Sequence, residues 1–280
     1  MNREQFWILD GHSMIHRAVR RDGAPMTSPS GEPTRGTFIF CKMLFSLFET
    51  RRPAYMAMAV DVARSKSFRR ALWSKYKIGR DSEVEDPSIP IQIRRIRDIV
   101  AALGIPVIRV EPFEADDVIA TLTSICASDE VECVVCSQDK DLHQLIGPNV
   151  RMFDHRTGDW WGEAEVLLKW GVPPSKVLDV QTLWGDTTDG VPGVSGIGEV
   201  NAKALIKKYG SVAGVLEAAE DLSPSIQRGL AAADLDLCRK LVELRRDVPI
   251  NVSPRDLEFD GFDWASAKPL FRELGFRQWS

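Results

Sequence analysis

Residues 113–122 read FEADDVIATL and set three carboxylates, Glu114, Asp116 and Asp117, within four positions at the head of an otherwise apolar segment. Acidic side chains favour the first turn of a helix, where unpaired N–H groups and the macrodipole carry partial positive charge, so part of this crowding needs no chemistry. Ala115, Val118, Ile119, Leu122, Ile125 and Cys126 form a 3,4-spaced apolar stripe, which predicts a helix over 114–127 buried against a sheet. Glu114 and Asp117 then share a neighbouring face, and Asp116 reaches the same point ahead of the helix start. Three like charges aimed at one point need a cation or a proton to offset their repulsion.

Short apolar runs alternate with helix-period segments, the pattern of an α/β fold with a mostly parallel sheet flanked by helices. Strands are predicted near 5–9 (QFWIL), 54–60 (AYMAMAV), 106–110 (PVIRV) and 132–136 (ECVVC), with another around 150–153. Further helices are predicted over 36–50 and 90–103, the latter burying Ile96, Ile99, Val100 and Leu103. From about 166 onward strand signals vanish, so a smaller helical domain is expected there. Asp10 follows the first strand, Asp61 the second, Glu114 the third, and Asp139 and Asp141 the fourth. In an open parallel sheet those carboxyl ends share one edge, where loops from separate strands converge into a crevice. An oxygen-only donor set selects hard ions, Mg²⁺ or Mn²⁺. The number of carboxylates exceeds what one octahedral ion uses, which favours two ions about 3.5–4 Å apart, as in phosphodiester-cleaving enzymes.

The remaining signals bound the class of protein. At 280 residues and 44% hydrophobic content the chain is an ordinary globular one. No apolar run approaches a membrane span, and MNREQFWILDG lacks a signal-peptide pattern, so a cytoplasmic protein is expected. Cys133 and Cys136 lie three apart on a strand, hence on opposite faces, and are expected to be reduced core thiols. The four histidines fall into no ligand spacing. Net charge is −4, yet residues 64–80, RSKSFRRALWSKYKIGR, carry seven basic residues and no acid, interleaved with Phe68, Trp73 and Tyr76. That mixture suits a tracked phosphate backbone with stacked bases. At 184–199, WGDTTDGVPGVSGIGE, the dinucleotide-binding spacing is incomplete and no strand precedes it. What remains is a tight Gly/Pro turn running into the helix EVNAKALIKKYG, whose exposed N–H groups can hold a phosphate without reading a base.

Taken together, these motifs resemble the 5′-nuclease domain of bacterial DNA polymerase I and its stand-alone flap endonuclease and 5′-3′ exonuclease relatives. ILDGHSMIHR, TSPSGEPTRGTF, AVDVARSKSFRRALWSKYKIGR, FEADDVIATL, SQDKDLHQL and LWGDTTDGVPGVSGIGE follow in the family's order over nearly the whole chain. The resemblance implies a PIN-like or resolvase-like catalytic domain over 1–165 with a helical arch at about 64–103. It also implies a helical domain over 166–280 containing a helix-three-turn-helix, a DNA-binding motif of the helix-hairpin-helix type. Asp10, Asp61, Glu114, Asp116, Asp117 and Asp139 would surround one Mg²⁺ or Mn²⁺ ion. Asp139 would be shared toward a second ion held by Asp141, Asp186 and Asp189.

The same resemblance assigns Lys77 and Arg80 to the scissile phosphate, Tyr76 to stacking on a frayed base, and the basic Arg69 and Arg70 to DNA. Gly196, Gly198, Asn201 and Lys203 would grip the duplex, with K⁺ held by the carbonyls of Val194 and Ile197. An ion-activated water would attack the phosphodiester, leaving a 5′-phosphate and a 3′-hydroxyl on branched or 5′-flapped DNA, or an RNA primer on DNA. A monomer acting in replication and repair beside a separately encoded polymerase is expected. Two departures stand out: Thr188, Asp189 and Gly190 replace the usual S-D-N, and Val200 and Asn201 replace the usual Lys-Thr. A catalytically silent DNA-junction-binding protein and a PIN-like ribonuclease are the alternative readings.

Overall fold

The computed structural model describes residues 3–79, 86–128 and 130–280. Its centre is a six-stranded sheet of β1 (Glu4–Asp10), β2 (Tyr55–Ala59), β3 (Val107–Ile108), β4 (Val131–Cys136), β5 (Val150–Asp154) and β6 (Asp159–Trp161). The order is β3-β2-β1-β4-β5-β6, parallel throughout except for the antiparallel β6 at one edge. The sheet is therefore the mostly parallel one expected. The third strand is shorter than 106–110, and β6 was not anticipated, since a three-residue strand after a Gly158 turn leaves almost no periodic signal.

Alternation along the strands divides the interior into two layers. Phe6 and Ile8 of β1, with Cys133 and Val135 of β4, pack on the face covered by α5 (Ala115–Cys126). The same core continues into α6 (Glu163–Trp170), α7 (Val177–Trp184) and α8 (Glu199–Tyr209). Trp7, Leu9, Val134 and Cys136 point the other way, toward α1 (Gly11–Val19), α2 (Arg35–Phe48) and α4 (Ser88–Ala102). Cys133 and Cys136 thus sit on opposite faces, buried and free. Burial pushes both thiols far above their ordinary range, which leaves them inert.

Helix α1 escaped the periodicity reading, although its cap is local: Asp10 Oδ1 accepts from the N–H of Ser13 at 2.9 Å. Its first residue must be glycine, because a Cβ at Gly11 would stand 2.6 Å from the Ala59 carbonyl at the end of β2. The basic run begins with a 3-10 turn, Arg64–Lys66, and the short helix α3 (Phe68–Leu72). Beyond α8 the chain is helical through α9 (Val212–Glu217), α10 (Pro224–Ala232) and α11 (Leu235–Val242). It then returns to the sheet. Phe259 N–H donates to the Ala54 carbonyl at 2.8 Å, and α12 (Trp264–Glu273) buries Ala267 and Phe271 among α2 and α4. Among the described residues no helix is long and apolar enough to cross a membrane.

Candidate metal centre and nucleic-acid interface

The loops after the parallel strands bring the acids together. Asp10 closes β1, and its Oδ2 accepts from the Ser137 hydroxyl at 2.6 Å. Ser137 Oγ also accepts from the Asp139 N–H at 3.0 Å, so one serine sets two carboxylates. Asp61, beyond β2, accepts from the Ala115 N–H at 2.6 Å and faces His12 Nδ1 at 3.1 Å. Glu114 is the N-cap of α5, with Asp116 and Asp117 in its first turn. Asp139 caps a 3-10 turn over Lys140–Leu145, accepting from the Asp141 N–H at 2.9 Å. Asp141 in turn accepts from Gln181 Nε2, on α7, at 2.6 Å. Asp186 lies past α7, where its Oδ1 accepts from the N–H groups of Thr188 and Asp189.

Crowding shows in the protonation equilibria. Asp10 is pushed up to about 6, burial first, against hydrogen bonds from Ser137 and Ser13 that work to lower it. Asp141 is pushed up to about 7 by burial and then by Asp139. Asp116 stands well above the carboxylate range because it is buried and faces Asp139, Asp10 and Asp61. A cavity of about 20 Å³ opens between Glu114, Asp116, Asp141, Asp186 and Asp189. That is room for one water-sized particle.

The protein's own cations currently meet part of this charge. Lys77 Nζ lies 3.1 Å from Glu114 Oε2 and 3.7 Å from Asp189 Oδ2. Burial works to lower its pKa, and Tyr76, Glu114, Asp189 and Asp61 together raise it well above the ordinary value. Lys140 Nζ sits 3.0 Å from Asp186. Among the described residues no three His, Cys, Asp or Glu side chains stand in a geometry that would hold an ion as they are. The donor chemistry nonetheless fits hard divalent cations: oxygens only, Asp10, Asp116 and Asp141 pushed toward protonation, and ammonium groups standing in for positive charge at Glu114 and Asp186.

Asp117 is placed differently from its neighbours. It is fully buried, and its two oxygens take the guanidinium fork of Arg69 at 2.6 and 2.7 Å. They also accept the N–H groups of Glu114 at 3.1 Å and Arg245 at 2.9 Å. Arg69 itself is 2% exposed and donates onward to the carbonyls of Leu241 and Glu243, which docks α3 onto α11. The expectation that Arg69 contacts DNA is therefore corrected: its fork is consumed inside the fold.

The comparisons with known proteins decide the family. The family described as 5′-3′ exonuclease, N-terminal resolvase-like domain, matches residues 5–171, and the 5′-3′ exonuclease C-terminal SAM fold matches residues 172–265. The chain belongs to the 5′-3′ exonuclease family. A 5′-3′ exonuclease of Aquifex aeolicus is 35% identical over 268 residues, covering 96% of this chain and 91% of that protein. DNA polymerase I of Rhizobium leguminosarum is 36% identical over 267 residues, and there the chain spans only 25% of the relative's length. A bacteriophage T5 flap endonuclease, solved with DNA and metal ions, shares the fold with a TM-score of 0.70 at 20% identity, over 86% of this chain and 89% of that one.

In this nuclease the residues expected on the DNA side divide sharply. Arg80 lies outside the described residues. Tyr76 is 4% exposed, with its hydroxyl donating to Glu114 Oε2 at 2.9 Å, so its ring is packed and not offered to a base. Arg70 donates to the Tyr76 carbonyl at 2.8 Å and braces that turn. Asn201 is exposed at the start of α8, as is Val200. Lys203 is tied to Glu199 Oε1 at 2.6 Å and to the Lys169 carbonyl at 3.1 Å. Gly196 has φ of +86°, and the Val194 carbonyl accepts from the Ile197 N–H at 3.0 Å, closing the turn before α8. Gly190 has φ of +71°, and a Cβ there would meet the Lys75 carbonyl at 2.5 Å. The Lys77 N–H donates to the Asp189 carbonyl at 2.8 Å beside it. Ser137, Gln181 and Lys140 went unremarked in the sequence; only the place of Ser137 and Lys140 within SQDKD hinted at them.

Proposed function

We propose that this nuclease hydrolyses phosphodiester bonds of DNA as a structure-specific 5′ nuclease, acting on branched or 5′-flapped duplexes with two Mg²⁺ or Mn²⁺ ions. The observation that carries the reading is the gathering of acids from five separate loops into one place, where Asp10, Asp116 and Asp141 are pushed toward protonation while Lys77 and Lys140 help to hold Glu114 and Asp186 low. In this reading Asp10, Asp61, Glu114, Asp116 and Asp139 hold one ion, and Asp141, Asp186 and Asp189, with Asp139 shared, hold the other. Asp117 is a strut: it orients Arg69 and the start of α5 and does not ligate. The ions supply Lewis acidity and an activated water.

Everything else is done by the chain. Ser137 holds Asp10 and Asp139 in one orientation, and Gln181 holds Asp141. Fixing carboxylates before substrate arrives lowers the reorganisation that catalysis demands. With the carboxylates neutralised, Lys77 no longer serves as their counter-ion and can turn its ammonium to the scissile phosphate. The domain division we infer is a catalytic unit over 1–165 and a helical unit over 166–280. The turn at Gly196 and Gly198, with Asn201, holds duplex phosphates, and K⁺ on the carbonyls of Val194 and Ile197 would stiffen it. The same reading has the protein working as a monomer beside a separately encoded polymerase.

The test is release of labelled 5′ products from a flapped duplex, with Mg²⁺, with Mn²⁺ and with EDTA. Cleavage with either ion and none with EDTA is the expected result. Flap binding with no turnover under any divalent ion would leave only a DNA-binding role.

A further inference from the structure

A second cavity, of about 450 Å³, opens beside Asp61 and is bounded by α1, the segment after β2, α4 and the residue that follows β3. Its polar lining is His12, His16, Asp61, Arg64, Arg97 and Arg109. Three guanidinium groups thus face one carboxylate, and that carboxylate already has His12 at 3.1 Å. Two atoms of this lining, Arg97 Nε and His16 Nδ1, are buried and have no hydrogen-bond partner. Leaving a buried polar group unpaired costs about 1–3 kcal/mol, and folded proteins contain few of them. Arg97 Nε can only donate, so its missing partner is a hydrogen-bond acceptor, and His16 Nδ1 beside the same cavity joins it in the tautomer that carries the proton there. A guanidinium fork matches phosphate geometry, and the volume lies within the range of small-ligand sites.

We propose that this cavity is an anion site for a phosphate of the substrate strand next to the scissile one, with Arg97 and Arg109 as its principal donors. The inference rests on the nuclease reading above, since the cavity shares Asp61 with the acidic cluster. Arg97 Nε donates to a phosphate oxygen, and His16 Nδ1 donates when that nitrogen carries the ring proton. Arg109 is also paired with Glu111 at 3.2 Å and releases it to reach the anion. Two sources share this chemistry: an internal phosphodiester and a terminal 5′-phosphate.

The experiment compares wild type with Arg97→Gln, Arg97→Lys and Arg109→Gln in EDTA, where cleavage is silent. Melting curves are recorded with inorganic phosphate against chloride at equal ionic strength. Fluorescence anisotropy follows binding to 5′-overhang duplexes ending in phosphate or hydroxyl, and to overhangs with one methylphosphonate moved along the strand. Phosphate is expected to raise the wild-type melting temperature more than chloride does, and Arg97→Gln to abolish the difference. Arg97→Gln should also weaken overhang binding about tenfold and reduce the salt slope by about one, with Arg97→Lys partly restoring both. A terminal source appears as sensitivity to the 5′ group, an internal one as sensitivity to a single methylphosphonate position.

The proposal is overturned if folded Arg97→Gln and Arg109→Gln bind every substrate as wild type does, or if phosphate stabilises wild type no more than chloride. Should Arg97→Gln fail to fold, the half-exposed Arg109→Gln carries the same test. Wild-type cleavage in Mg²⁺ is scored separately. A phosphate effect that depends on Arg97 in a protein that never cleaves DNA sinks the nuclease reading, whereas cleavage without that effect sinks this site alone.

Discussion

Two kinds of buried acid stand side by side at the head of α5, and they should behave oppositely. Asp117 spends both oxygens on Arg69 and on two backbone N–H groups, so it is a paired charge. Removing one partner of a buried pair costs about 3–5 kcal/mol, because the other charge is stranded. Arg69→Ala is expected to lose stability on that scale, read as a lower urea midpoint, with Mg²⁺ offering no rescue. Asp10 and Asp141 have folded pKa values raised to about 6 and about 7, from an ordinary value near 4. A raised carboxylate gives stability that is complete below pH about 4 and is lost as pH climbs through the folded value. His16 and His143, lowered to about 4 by burial, titrate in the opposite sense. His143, whose shift comes from burial and Lys169 alone, cancels when metal-bound and metal-free protein are compared at the same pH, whereas His16 also feels Asp61. The melting-temperature gain from Mg²⁺ over EDTA is therefore expected to grow from pH 5 to pH 8, and a gain independent of pH would contradict the assignment.

Elements position these residues through a few close contacts, and one of them explains a departure from the family pattern. Gly190 stands where an asparagine is usual, at φ of +71°, with the Lys75 carbonyl 2.5 Å from where a Cβ would lie. Trp73 Nε1 donates to its carbonyl at 3.0 Å. Gly190→Asn, nominally a return to type, is expected to push the 73–77 turn away from Asp189. Flap cleavage should fall by about tenfold or more, as misplacing a reacting group does, with a smaller change in melting temperature. Much of this scale could be read in advance. β1, β2 and β4 announced themselves because apolar runs of four or more residues leave a clear signature, and the acids after them came with the strands. Helix α1 did not, being short and carrying polar residues on its outer side. Nor did the burial of Arg69 and Tyr76: a basic and aromatic run looks the same in sequence whether it meets solvent, DNA or α11. Only tertiary packing distinguishes these cases.

Across the whole molecule, the aromatic residues near the C-terminus matter more than their distance from the site suggests. Phe45 of α2 meets Phe262, Trp264, Phe271 and Trp279 at ring-centroid separations of 4.9–6.1 Å. Phe271→Ala is expected to cost about 3–5 kcal/mol, the usual penalty for emptying an aromatic core position, in chemical denaturation. Thermal unfolding should remain a single transition followed alike by tryptophan fluorescence and by far-ultraviolet circular dichroism. The reason lies in how the polypeptide is threaded. Residues 163–257 leave the sheet beside β6 and come back at Glu258, which bridges to Tyr55. The helical region is thus tethered at both ends like a handle on a cup, and tugging on either root pulls on the wall that carries Asp10 and Asp61. Because that handle also shares one packed core with α5, a load on it is expected to reach the acids at the head of α5 through side chains already in contact.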